Sequence, residues 1–322
     1  MKNNFTVLLV EKIDKAGIDI LKEIADLKFA SSASEKVLAN EAKEVDAVII
    51  RTVGKISKKV IQSARRLKVI GRHGAGIDNV DLQAATERNI PVVYTPKANT
   101  ESVADHTIGL MISVAKKIPQ AHYAFTRNKN WSARYEYIGT EIYEKALGVI
   151  GLGRIGRSVT RRAKGFKMQI LAYDPYISKG TAKKLGVKLV DLKTLLGNSD
   201  FVSIHVPLTK NTYKMIGKRE LEMMKPSAYL INTSRGGIAD EAAVYEALVK
   251  GKLAGAAFDV YDKEPPDPDN PLFKLDIVIA TPHMASHTEE ALRRMAVTVA
   301  EDVVKVLRGE RPRYLANPEI FE

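Results

Sequence analysis

Ten short apolar runs, separated by helical patterns and turns, constrain the fold of this 322-residue chain more than any other feature. "FTVLLV", "DAVII", "LKVIGRHG" and "PVVYT" fall in the first hundred residues. "ALGVIG", "QILAYD", "FVSIHV", "AYLINT", "AGAAFDV" and "IVIATP" follow later. Runs this rich in Val and Ile, without polar alternation, read as strands covered on both faces, which is the habit of parallel sheets. Strands alternating with helices, in two separate series, predict an α/β protein made of two doubly wound parallel-sheet domains.

Two long helical patterns mark where one series gives way to the other. Asn99 or Thr100 can cap a helix running to about Lys117. A second pattern, "TEEALRRMAVTVAEDVVKVLRG", starts near Thr288 and ends at Gly309. The expected division is therefore 1–98 plus 289–322 as one domain and 99–288 as the other. The proline-rich "EPPDPDNPLFKLD" reads as a loop.

Within the second series, Gly151-Leu152-Gly153-Arg154-Ile155-Gly156 follows a strand and opens a helix. Gly151 permits a tight turn, Gly153 lets backbone approach a pyrophosphate, and Gly156 lets the helix pack closely on the strand. The helix N-terminus adds free N–H groups and partial positive charge. The next strand ends at Asp174, eighteen residues beyond Gly156. A carboxylate there accepts from both ribose hydroxyls and repels a 2′-phosphate, so the stretch reads as a site for NAD rather than NADP.

Composition narrows the remaining chemistry. The chain has no cysteine, which removes disulfides, thiolate metal sites and a thiol nucleophile, and no metal site is expected. That fits a reducing, cytoplasmic setting. The apolar run near the start is too short for a signal sequence, and no stretch approaches the roughly 20 apolar residues of a membrane span. The net charge of +12 is spread thinly, with no basic block interleaved with aromatics, so neither nucleic acid nor membrane is an expected partner. It suits attraction of anionic substrates.

Hydride exchange at a hydroxyl carbon needs a proton acceptor and a cation for the substrate. Histidine is the natural acid–base group. Of the six histidines, His283 follows the strand "IVIATP", at the carboxyl end where such sheets place their sites. Arg235 follows "AYLINTS" and precedes Gly236-Gly237, which leave room for a ligand. Glu264 follows "AGAAFDVYDK", with Asp262 as an acidic competitor. His205 reads as a site-wall or packing residue, and His73, His106 and His122 as satisfying helix or loop hydrogen bonds.

These motifs together resemble the D-isomer-specific 2-hydroxyacid dehydrogenase family, and within it the phosphoglycerate dehydrogenases. The resemblance covers nearly the whole chain and rests on "GRHGAGIDNVD", "GLGRIGR", "DFVSIHVPLTKNT", "LINTSRGGIADEAAV", "AGAAFDVYDKEPP" and "TPHMASHTEEA". It implies a flavodoxin-like substrate domain and a Rossmann NAD domain. It implies catalytic roles for Arg235, Glu264 and His283: His283 takes the substrate hydroxyl proton, Glu264 hydrogen-bonds the imidazole, and Arg235 holds the substrate carboxylate. By the same matching, Arg154 and Ile155 lie at the pyrophosphate, Val206 and Pro207 near the adenosine, and Thr233 and Asp259 near the nicotinamide. Backbone N–H groups of Gly74, Ala75 and Gly76 bind the other carboxylate oxygens. The segment "HYAFTRNKNWSARYEYIG" implies a homodimer through the NAD domain. Two departures stand out: Asp105 where glutamate is commoner, and His287 where small residues are usual. If residues 283–287 form a helical turn, the two histidines share a face.

Arg51, Lys55 and Arg72 in the first domain form a cationic set, and in the phosphoglycerate enzymes positions like Arg51 and Arg72 face the substrate phosphate. The expected reaction is oxidation of D-3-phosphoglycerate to 3-phosphohydroxypyruvate, a step of serine biosynthesis. Glyoxylate or hydroxypyruvate reduction, or action on a sulfonated hydroxyacid, stays open. So does a different class, since some relatives are NAD-sensing corepressors that keep the Arg, Glu and His. Against that class stand the lack of long flanking tails and the Arg51/Arg72 pair. The chain ends just after the return helix, so feedback through a carboxyl-terminal regulatory domain is not expected.

Overall fold

The alternation of buried strands and helices builds two separate parallel sheets in a computed structural model that describes residues 5–321. The chain divides into two units. One takes the chain up to Thr100 and again from His287 onward, and the other runs Glu101–Ser286. These cuts lie two residues from each expected boundary and place His287 with the first unit.

In the first unit, β1 (Phe5–Leu9), α1 (Lys15–Lys22), β2 (Ala25–Phe29), α2 (Glu35–Glu41), β3 (Ala47–Ile50), α3 (Lys58–Ser63), β4 (Val69–Arg72), α4 (Leu82–Glu87) and β5 (Val92–Tyr94) alternate strictly. The strand order β2-β1-β3-β4-β5 is the flavodoxin-like arrangement, with its switch point between β1 and β3. Successive residues of β3 face opposite sides. Val48 and Ile50 pack under α2, α3 and α4 with Leu38, Val60 and Ala84. Ala47 and Ile49 pack with Leu21 of α1 and with Val299 and Val303.

The second unit contains α5 (Thr100–Lys116), α6 (Ile118–Thr126), α7 (Ala133–Glu136), β6 (Ala146–Ile150), α8 (Arg154–Gly165), β7 (Gln169–Tyr173), α9 (Lys179–Lys184), β8 (Lys188–Leu189), α10 (Leu192–Asn198), β9 (Phe201–Ile204), α11 (Lys218–Leu221), β10 (Tyr229–Asn232), α12 (Glu241–Val249), β11 (Gly255–Phe258) and β12 (Val278–Ala280). All its strand pairs are parallel, in the order β12-β11-β10-β9-β6-β7-β8. The order reverses between β6 and β9, which is the Rossmann switch point. α5 stops where Lys117 turns into the left-handed region at φ 54°.

The chain returns to the first unit through α13 (Glu289–Leu307). Thr288 Oγ1 caps it by accepting from Ala291 N–H at 3.2 Å, and Glu289 and Glu290 place negative charge at its positive end. Gly309, at φ 81°, lies just past its end.

Two strands were not visible as apolar runs, β2 ("ADLKF") and β8 ("KL"). Both are edge strands. Edges carry polar residues and can be short because only one side is paired, so the apolar signal fades there. The proline-rich segment contains one 3-10 turn, Pro271–Lys274, and is otherwise a loop. Among the described residues no helix is long and apolar enough to cross a membrane.

Candidate active site

The glycine turn at the second unit's switch point has three distinct geometries. Gly151 adopts φ 93°, and a Cβ there would lie 2.7 Å from the carbonyl oxygen of His205. A Cβ on Gly156 would lie 2.0 Å from the carbonyl oxygen of Gly151. Around Gly153, by contrast, a Cβ would meet no described atom within 4 Å. Gly153 is the N-cap of α8, so the helix N-terminus opens onto free space, as a phosphate cradle requires. Arg154 is exposed there, and Ile155 packs its side chain partly into the core.

Asp174 follows β7 and closes over the turn. Its Oδ2 accepts from Leu152 N–H at 2.8 Å and its Oδ1 from Tyr176 N–H at 2.9 Å. The carboxylate is thereby fixed beside the cradle, with lone pairs left for further donors. Val206 is half-buried and Pro207 exposed on the far side of the switch point, after β9. His205 lies between them and the strand. Burial pushes its imidazole down to about 3, and its Nε2 lies 2.8 Å from Ser203 Oγ. It is neutral and locally bonded.

Arg235, Glu264 and His283 follow β10, β11 and β12, three neighbours in the sheet. His283 Nδ1 lies 2.6 Å from Glu264 Oε2. The carboxylate accepts the Nδ1 proton, which leaves Nε2 as the atom for proton transfer. Glu264 Oε1 accepts from Tyr261 N–H at 3.1 Å. Burial alone would push the Glu264 carboxyl up. The hydrogen bond and charge of His283, the Tyr261 N–H and the charge of Arg235 outweigh it and hold Glu264 below its ordinary value. Asp262, the acidic competitor, is engaged elsewhere, accepting from Gly237 N–H at 2.7 Å.

The loop holding His283 is shaped from inside. His283 has φ 49°, and its N–H donates to the Thr281 carbonyl at 3.0 Å. Asp259, fully buried after β11, accepts from Met284 N–H, Ala285 N–H and Thr281 Oγ1 at 2.8, 2.8 and 2.6 Å. Expected near the nicotinamide, its carboxylate acts in this structure as the brace of the histidine loop. Thr233, expected there too, is buried with its hydroxyl 2.8 Å from Thr107 Oγ1. His106 Nε2 lies 3.1 Å from Thr281 Oγ1.

The Arg235 loop corrects one expectation. Gly236 does not leave room for a ligand: a Cβ there would stand 1.8 Å from the Tyr261 carbonyl oxygen. Gly237 is needed for its φ of 76°. The glycine pair lets the loop after β10 close against the loop after β11. Arg235 Nη1 donates to the Ser234 carbonyl at 2.7 Å, and Asn232 Nδ2 donates to the Arg235 carbonyl at 2.9 Å.

In the first unit, Arg51 follows β3 at the switch point and Arg72 closes β4. Arg72 is drawn inward: Nε donates to Asn79 Oδ1 at 2.9 Å and Nη1 to the His73 carbonyl at 2.5 Å. Lys55 is exposed in the loop after β3. Gly74 N–H is already taken by the Arg72 carbonyl at 2.9 Å, which differs from its expected anion-binding role. His73 also departs from expectation. It is buried and both ring nitrogens lack partners, and burial together with the Arg51 charge pushes it down to about 4. Residues 283–287 form no helical turn, and His287 contacts Arg51 instead.

Comparison with known proteins identifies the family. Residues 108–285 match the family described as D-isomer specific 2-hydroxyacid dehydrogenase, NAD binding domain. The chain is 46% identical over 312 residues to a D-3-phosphoglycerate dehydrogenase of Archaeoglobus fulgidus, covering 97% of this chain and 59% of that protein. It is 40% identical over 322 residues to a glyoxylate reductase of Korarchaeum cryptofilum, covering 98% of this chain and 97% of that protein. The apo-structure of D-lactate dehydrogenase from Escherichia coli superposes with a TM-score of 0.84 at 34% identity, covering 97% of this chain and 99% of that one. The chain therefore belongs to the D-isomer-specific 2-hydroxyacid dehydrogenase family, and its second unit is the family's NAD-binding domain. It spans about three-fifths of the length of the phosphoglycerate dehydrogenase it matches.

Proposed function

We propose that the protein is an NAD-dependent dehydrogenase that oxidises D-3-phosphoglycerate to 3-phosphohydroxypyruvate. The observation that carries the reaction class is the His283–Glu264 pair at 2.6 Å, on strand ends next to the one bearing Arg235. Arg235 holds the substrate carboxylate by charge-assisted hydrogen bonds. His283 Nε2 takes the proton of the C2 hydroxyl, and Glu264 stabilises the imidazolium that forms. The glycine turn before α8 and Asp174 would hold NAD, which would supply the acceptor for the C2 hydride. In reduction His283 returns the proton to the oxygen. Asp174 favours NAD over NADP because a 2′-phosphate beside it would meet like charge.

The substrate assignment rests on the cationic end of the first unit's sheet and on the 46% identical relative of that name. A glyoxylate reductase is the rival reading, and the relative of that name, matched along almost its whole length, favours it. A sulfonated hydroxyacid suits the same cations. Steady-state rates with NAD or NADH against D-3-phosphoglycerate, D-glycerate, glyoxylate, hydroxypyruvate and a sulfonated D-2-hydroxyacid decide among these readings. A clear preference in kcat/KM for the phosphorylated substrate supports the proposal, and a preference for glyoxylate replaces it.

The assembly we propose is a homodimer through the second unit. Tyr123, Phe125, Trp131, Tyr135 and Ile138 are all more than half exposed on α6, α7 and their flanks, and Arg134 lies 5.1 Å from the Trp131 ring centroid. Exposed aromatics with arginine are favoured interface anchors. A monomeric mass in solution at micromolar concentration would exclude it. The cysteine-free sequence suits a cytoplasmic enzyme.

A further inference from the structure

The strand order of the first unit reverses between β1 and β3, and open α/β sheets take ligands at the carboxyl ends beside such a point. Arg51 is the residue that leaves β3 there. Its loop is held from two sides. Glu11 Oε2 accepts from Thr52 and Val53 N–H at 2.5 and 2.8 Å, and Asn79 Nδ2 donates to the Arg51 carbonyl at 3.2 Å. Asn79 also receives Arg72 Nε, so the loops after β3 and β4 are tied to each other. Arg72 therefore acts as part of the frame, and Arg51 is the guanidinium this frame presents.

The group touching Arg51 is His287, just before the cap of α13. Arg51 Nη2 is in hydrogen-bond contact with His287 Nε2. A guanidinium has donors only, so this contact requires the lone pair of a neutral imidazole at Nε2. The imidazole thus occupies the acceptor position that an anion's oxygen would take. Arg51 and Arg72 both act on the neutral, buried His73, the Glu11 carboxylate binds the backbone just after Arg51, and Glu289 and Glu290 are exposed in the first turn of α13.

We propose that His287 is a specificity-determining residue that, with Arg51, recognises a second anionic group on the substrate, a phosphate above all. This deepens the proposed function and rests on it. With a substrate lacking that group the Arg51–His287 contact persists and contributes nothing to binding. One phosphate oxygen takes the place of the imidazole lone pair and accepts from Arg51, and another accepts from an N–H of the His287 ring. Both bonds are then charge-assisted, the strong kind.

The test compares kcat/KM for D-3-phosphoglycerate and D-glycerate in the unmutated protein, His287→Ser, Arg51→Ala and the double variant. His287→Ser should lose about 10- to 100-fold on the phosphorylated substrate, the range for one charge-assisted hydrogen bond. On D-glycerate it should lose less than about 3-fold by the same reasoning. The double variant should lose less than the product of the single losses, because both residues serve one phosphate. Equal losses on both substrates would overturn the assignment and make His287 a residue of loop position only. Titration of inorganic phosphate, followed by the imidazole NMR signals of His287, separates this inference from the substrate reading. An unmutated protein that prefers glyoxylate contradicts the substrate reading. His287 signals that move with phosphate, but stay fixed in Arg51→Ala, support the anion pair. Signals indifferent to phosphate in the unmutated protein refute it.

Discussion

The carbonyl oxygen of Tyr261 lies so close over Gly236 that a Cβ on the glycine would stand 1.8 Å from it. The contact joins the loop carrying Arg235 to the loop carrying Glu264. Because the obstructing atom is backbone, no side-chain rotation relieves it. Gly236→Ala should therefore force the two loops apart. The expected outcome is a fall of more than about 10-fold in kcat/KM, since misplacement on the order of 1 Å is costly for catalysis. The NAD dissociation constant should change little. An alanine variant with unaltered kinetics would show that the loops have slack the structure does not display.

Arg235, Glu264 and His283 could be singled out from the chain because each stands in the loop that leaves an apolar run, and strand ends are where such sheets work. The glycine turn was equally plain, since Gly151, Gly153 and Gly156 have a fixed spacing and each a separate geometric reason. What could not be read was tertiary. Nothing in "SRGG" says that the Tyr261 backbone crosses Gly236. Nothing near Asp259 says that its carboxylate accepts from the Met284 and Ala285 N–H groups. The Arg51–His287 contact joins residues 236 positions apart, and only the packing of α13 on the first sheet makes them neighbours. The edge strands β2 and β8 escaped because pairing on one side needs little apolar sequence.

Asp259 gives a prediction about stability and catalysis together. Its carboxylate satisfies two backbone N–H groups and one hydroxyl in a fully buried place. Asp259→Ala leaves the Met284 and Ala285 N–H groups unpartnered, while the Thr281 hydroxyl keeps His106 Nε2 within reach, and each unsatisfied buried group costs about 1–3 kcal/mol. Chemical denaturation should show a loss of about 2 kcal/mol or more on that basis. Activity should fall too, because the His283 loop loses its brace. A variant of unchanged stability would mean that the loop finds other acceptors.

The pH dependence of stability should report the Glu264–His283 pair. Glu264 titrates below its ordinary value in the folded protein. A depressed carboxyl contributes stability that is present above the unfolded pKa and lost as pH falls through the folded one. The stability gap between the unmutated protein and Glu264→Gln should thus be open at neutral pH and close on acidification through the lowered Glu264 pKa. Urea midpoints measured across that range check it. A gap that stays constant with pH would show that the charge of Glu264 has no part in it.

Cofactor choice should turn on Asp174. Asp174→Ala removes the carboxylate beside the cradle and the acceptor for Leu152 N–H. NAD use should weaken and the preference over NADP should shrink, by about 10-fold or more, the worth of one charge-assisted hydrogen bond. Comparing kcat/KM for the two cofactors decides the point. Equal efficiency with both in the unmutated protein would defeat the assignment.

The central claim is that His283 carries the proton in a hydride transfer, and the most direct measurement is the turnover of His283→Ala with saturating NAD and the preferred hydroxyacid. Loss of a positioned acid–base group predicts a fall in kcat of about 10²-fold or more. NAD binding, followed by protein fluorescence quenching, should stay near that of the unmutated protein, since the glycine turn and Asp174 lie on other strand ends. Turnover left nearly intact, with NAD still bound, would contradict the account and move the proton chemistry to another group.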